Sequence, residues 1–208
     1  MNTIEEWEAL VDNLGEQATY FREPHELVRI HSTRAQILNE YLDDSEGCQQ
    51  EWSLVIGLEP LHEEANLAIE EYCESESMWE PLAEHLENKL EHALDAQHRS
   101  NVHRRLGKLY RHHLKWNDQA LAAWQQVHEF NPKDLEALRG LLELYKEYSR
   151  WGDVSRVANE IIPLVALEDA NALRLLVAEV QFDKLDDSIL ATEAGKAILD
   201  SHSSDTEV

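Results

Sequence analysis

Cysteine, glycine, proline and positive charge are all scarce in this sequence. Two cysteines in 208 residues, Cys48 and Cys73, are too few for a disulfide framework. Both fall inside helical patterns, so each reads as a buried free thiol. Seven glycines and five prolines leave little punctuation for a β-rich fold, and alternating β-branched runs closed by Asn-Gly or Asp-Gly turns are missing too. No apolar run approaches the roughly 18 residues a membrane helix needs, and the opening MNTIEEWEAL is acidic where a secretion signal is basic and then apolar. The expected location is cytoplasmic. Lys and Arg total 18 against 42 Asp and Glu, a formal charge of -24. Coulomb repulsion therefore argues against nucleic acid and anionic membranes as partners. There is no HExxH, no pair of histidines at i, i+4, no P-loop, nucleophile elbow or dinucleotide fingerprint. No metal ligand, cofactor or catalytic residue is expected, and the chain reads as a non-enzyme.

What is abundant is Leu, Ala, Glu and Gln, the straight-chain helix formers, which predicts an all-α fold. The tryptophans carry a second signal. Shifted by 72 residues, Trp7 falls on Trp79, Trp79 on Trp151, and Trp52 on Trp124, where chance placement gives about 0.1 such pairs at one offset. The same shift places His31 on His103, Leu42 on Leu114, Val55 on Val127 and Pro60 on Pro132. This is an internal duplication. Trp7, Leu10, Leu14 and Ala18 match Trp79, Leu82, Leu86 and Leu90, then Trp151, Val154, Ala158 and Ile162, offsets that trace one helical face. A stripe of this kind is covered only by neighbouring helices, so each leading tryptophan is expected to anchor its helix against the preceding one.

A 72-residue unit accommodates four helices, or two hairpins of roughly 34 to 38 residues. In RRLGKLY, Leu106, Gly107 and Tyr110 stand ahead of Ala120, Trp124, Val127 and Pro132 in QALAAWQQVHEFNP, with one residue inserted between the two halves. This pattern resembles the tetratricopeptide repeat, whose two helices cross closely at small residues such as Gly107 and Ala120. Cys48, Trp52, Val55 and Pro60 reproduce the second-helix pattern earlier in the chain, while Leu142 and Glu70 stand where the family carries glycine. The resemblance spans most of residues 24 to 165. The long unit opening on Trp is also similar to acidic tandem-repeat proteins of some Gram-negative bacteria. It implies a right-handed α-solenoid of about five to six hairpins and about eleven helices. The expected layout is one solenoid over residues 1–200, with units 7–78, 79–150 and a partial 151–200, a last helix near Ser188 to Asp200, and a flexible tail 201–208. Whether the chain is whole or part of a longer array stays open.

Charge is unevenly spread. Residues 1–98 hold 24 acids and 4 bases, residues 99–115 hold 6 bases and no acid, and residues 116–208 hold 18 acids and 8 bases. Within the basic stretch, Asn101, Arg104, Lys108, Arg111 and Lys115 step by 3, 4, 3 and 4, a cationic stripe opposite Val102, Leu106, Tyr110 and Leu114. In the family's layout the stripe lies on the concave side of a first helix. Arg105 and His112 flank it, and Arg139 and Lys146 extend it on the next hairpin. Two readings compete: an acidic peptide or partner helix binds there, or the helix relieves repulsion among the chain's own carboxylates. Four histidines, His98, His103, His112 and His113, would add charge below about pH 6.5. The resemblance implies a protein or peptide partner, with a homo-oligomer left open. A small acidic secretion or assembly chaperone, a structural module of a longer array and a cryptic metal-dependent hydrolase are the alternatives. The ending Thr206-Glu207-Val208 also fits a C-terminal PDZ ligand.

Overall fold

The computed structural model describes residues 3–184 and Thr192. The expected last helix near Ser188 to Asp200, the tail and the Thr206-Glu207-Val208 motif lie outside the described residues. The chain divides into two compact units, Met1–Asp95 and Ala96–Val208. In the N-terminal unit the helices are α1 (Ile4–Tyr20), α2 (Pro24–Tyr41), α3 (Ser45–Leu58), α4 (Glu63–Ser75) and α5 (Trp79–His92). The C-terminal unit holds α6 (Ala96–Leu109), which runs on through a π-helical turn (Tyr110–Leu114), then α7 (Asn117–Phe130), α8 (Leu135–Glu147), α9 (Trp151–Ile161) with a 3-10 turn (Ile162–Leu164), and α10 (Leu167–Asp183). Ten α-helices and no strand occur among the described residues.

Local chemistry sets the helix starts. Thr3 and Glu6 form a reciprocal capping box on α1, Pro24 opens α2, and Asp44, His62 and Asp134 accept backbone N–H groups at the heads of α3, α4 and α8. Each helix packs on the next within its unit, α1 to α5 and α6 to α10, which makes antiparallel hairpins with short connections. The 72-residue interval recurs in the backbone. Ser45–Leu58 and Asn117–Phe130 differ by 72 at both ends, as do Glu63–Ser75 and Leu135–Glu147. Among the described residues, the four non-glycine residues with positive φ form two such pairs, Asp43 with Lys115 and Ser77 with Ser149. The π-helical turn lies in the segment where the sequence carries one residue more than the family spacing.

The five indoles that recur at the 72-residue interval divide into two classes, and the expectation for Trp7 and Trp151 needs correction. Trp7, Trp79 and Trp151 are only half-buried. Trp7 stacks on Tyr41 at the end of the following helix, with ring centroids 4.0 Å apart, and Lys184 at the end of α10 lies 5.7 Å from the Trp151 ring. Trp7 and Trp151 thus meet the end of the following helix, because a residue in the first turn of one hairpin helix lies beside the last turn of its antiparallel partner. The deep anchors are the indoles in the middle of α3 and α7, Trp52 at 4% and Trp124 at 3% exposure. Trp124 is flanked by two glycines. A Cβ on Gly107 would lie 2.7 Å from its ring, and a Cβ on Gly140 also 2.7 Å. Gly107 is thus a close-approach position as its pattern suggests, and its counterpart is Gly140 on α8, which no motif flagged.

Candidate partner-binding surface

The predicted stripe begins on α6, and its side chains meet acids placed by the neighbouring helices. Arg104 donates to Asn101 Oδ1 at 3.0 Å and to Asp134 Oδ2 at 2.5 Å, with Nε 3.4 Å from Glu136. Lys108 Nζ lies 2.7 Å from Glu136. Arg111 donates to Glu147 at 2.6 Å and to Asn117 at 2.9 Å, while Asn117 donates to the other Glu147 oxygen at 2.6 Å. One hairpin further on, Arg139 stands 3.7 Å from Asp169. Arg104 to Asp134 and Arg139 to Asp169 are both 30 residues apart, so a cation on one first helix faces an acid at the head of the next.

These pairs are not equivalent. Asp134 is largely covered and also caps α8 through the Ala137 N–H. Burial alone would raise its pKa, but the Ala137 amide and the Arg104 guanidinium hold it below the usual carboxylate value. Arg104 is therefore bound into the helix junction. Lys108 and Glu136 are 50% and 46% exposed, a surface pair worth about 0 to 1 kcal/mol. Asn101, His112, Lys115 and Lys146 are exposed. Lys115 departs from the stripe: the α-helix gives way to a π-helical turn at Tyr110, and Lys115 follows as a left-handed cap at φ 59°. Among the four histidines expected to add charge, His103 does not join. Burial and then the Arg99 charge push its pKa down.

No family model matches the chain, and no curated protein matches it by sequence. Solved structures do. YrrB, a TPR protein with an unusual peptide-binding site, aligns at 13% identity over 83% of this chain and 84% of that one, with a TM-score of 0.52. Two structures of MamA align at 14% identity. One covers 88% of this chain and 97% of MamA at a TM-score of 0.53; the other covers 80% and 93% at 0.51. The fold is that of the tetratricopeptide repeat. In this tetratricopeptide-like frame α6, α8 and α10 are first helices, α7 and α9 second helices.

Two carboxylates of the N-terminal unit, Glu51 and Glu70, are buried in ion pairs that the helical spacing does not announce. Glu51 on α3 meets His31 Nδ1 at 2.7 Å and Arg34 Nη1 at 2.7 Å. Glu70 on α4 accepts from Lys89 at 2.9 Å. A signal was present: the 72-residue shift sets Glu51 on Ala123 and Glu70 on Leu142, acids against apolar residues. No helix among the described residues is long and apolar enough to cross a membrane. Both cysteines are buried, and desolvation raises their pKa values.

Proposed function

We propose that this chain is a non-catalytic protein-interaction module whose C-terminal unit takes an acidic segment of a partner along α6 and α8. The observation that carries the reading is the exposed Lys108–Glu136 pair beside the embedded Arg104. A partner carboxylate that replaces Glu136 at Lys108 exchanges one surface pair for another at little cost, because each is worth at most about 1 kcal/mol. Asn101, His112, Arg139 and Lys146, all exposed on this unit, offer further donors or cations. The likeness to YrrB, described as peptide-binding, agrees with this class of function.

Lys108 and Lys146 are the positions to reverse. Arg104→Glu would set a carboxylate against Asp134 and disturb the cap of α8, mixing folding with binding. A fluorescent Glu- and Asp-rich peptide titrated against the full chain should bind, and binding should weaken as salt rises. Lys108→Glu with Lys146→Glu should weaken it at least about tenfold while the thermal melt stays in place. Unchanged binding by the double variant would remove this surface from the interaction.

A further inference from the structure

The N-terminal unit contains a cleft of about 290 Å3 between α2, α3 and α4, lined by Asn39, Cys48, Gln49, Trp52, Glu71 and Tyr72 among others. The duplication supplies a comparison for each wall. At the position equivalent to Asn39 the C-terminal unit has Arg111, whose guanidinium bonds Asn117 and Glu147. Those two residues are the equivalents of Ser45 and Ser75, which also line the cleft. The C-terminal unit therefore places a guanidinium of its own between the residues that match the cleft walls. The N-terminal unit has no such side chain to place there, because Asn39 is too short.

Two of the remaining walls have become more polar, while Trp52 and Glu71 keep the residue types of Trp124 and Glu143. Gln49 stands where the C-terminal unit has Leu121, and Tyr72 stands where it has the fully buried Leu144. The Gln49 Oε1 atom is buried and accepts no hydrogen bond among the described residues. A buried acceptor without a donor costs about 1 to 3 kcal/mol, so this carbonyl is poised for an incoming N–H group. Glu71 adds a carboxylate, Trp52 and Tyr72 add aromatic surface that suits a planar cation, and burial keeps the Cys48 thiol neutral. Residues 1–95 carry 24 Asp and Glu against 4 Lys and Arg, a net -20 that draws cations toward this unit.

We infer that the α2–α3–α4 cleft is a binding site for the guanidinium of an arginine side chain on a basic segment of a partner, in the place that Arg111 fills from within in the C-terminal unit. The site rests on the N-terminal unit alone, so it stands or fails independently of the acidic-segment reading of α6 and α8.

The test is a nuclear magnetic resonance titration of the full chain, read at the Trp52 indole N–H and the Asn39 and Gln49 side-chain amides. The probes are a short capped peptide with a single Arg, the same peptide with neutral, isosteric citrulline, and N-acetyl-arginine amide. The Arg peptide should give saturable shifts at these groups, and citrulline should bind at least about tenfold more weakly. N-acetyl-arginine amide should reproduce the shifts more weakly than the peptide, which separates a peptide partner from a free small guanidine. Asn39→Arg, which supplies the missing arginine from inside, should abolish the shifts while the melt is retained. Glu71→Gln, an exposed change that leaves the fold intact, should weaken binding several-fold. Equal binding of the Arg and citrulline peptides, undiminished binding by Asn39→Arg, or no saturable shift would overturn the assignment.

Discussion

The two units follow one backbone plan at a 72-residue interval and bury different chemistry inside it. In the N-terminal unit, Glu51 and Glu70 are buried against His31, Arg34 and Lys89. The C-terminal unit has Ala123 and Leu142 at the matching positions, and it seats Trp124 between Gly107 and Gly140, whose equivalents in the N-terminal unit are Ala35 and Ala68. A helical hairpin stack thus accepts either a paired internal charge or a close-packed apolar junction, provided the volume is filled and each polar group finds a partner. The net charge of -20 on residues 1–95 compares with 18 acids against 14 bases, net -4, on residues 96–208.

Perturbing each device should separate the units, and hydrogen exchange across the chain locates each loss. The largest effect is expected from Trp124→Ala, which removes the indole between the two glycines and should cost about 3 to 5 kcal/mol in urea unfolding, with protection lost in α6 to α8. Glu51→Ala comes next. It leaves Arg34 without its buried carboxylate, and a loss of about 3 kcal/mol is expected, confined to α2 and α3. Gly140→Ala should cost about 1 to 3 kcal/mol by overpacking against Trp124, although alanine is the better helix former by about 1 kcal/mol. A stabilised Gly140→Ala would show that the indole yields.

The smallest effects are electrostatic. Asp134→Ala should cost about 1 kcal/mol through the lost α8 cap. Because the Asp134 pKa is lowered in the fold, its contribution is complete above about pH 4 and fades as pH falls through the folded value; urea midpoints of wild type and variant should converge there. His103 works in a different window. Its folded pKa also lies below the unfolded value, so the unfolded chain gains its proton first and stability drops as pH falls below about 6.5. His103→Gln should flatten that part of the curve.

Much of the fold was legible in the sequence because helical hairpins write their core as regular spacing. Trp52, Val55, Trp124 and Val127 sit deep in the second helices, at the places the repeat pattern gives them. The role of the leading indoles was harder to read. Periodicity says which face of α1, α5 and α9 is apolar, but it does not say which end of which neighbour covers a residue in the first turn. Gly140 escaped because it lies two residues before the family's glycine position, where only the Trp124 ring gives it meaning. The stripe on α6 was visible as charge, but its pairing with Asp134, Glu136 and Glu147 depends on how α8 lies beside α6, and spacing along one helix carries no such information. The α2–α3–α4 cleft appeared only when the two copies were compared residue by residue.

One titration tests most directly whether the two copies have diverged toward partners of opposite charge. The full chain, isotope-labelled, is mixed in turn with an arginine peptide and with a Glu-rich peptide of the same length. The expected result is two separate maps: arginine-peptide shifts at Asn39, Gln49 and Trp52, and acidic-peptide shifts around Lys108, Glu136 and Lys146. Both peptides perturbing one and the same unit would contradict it.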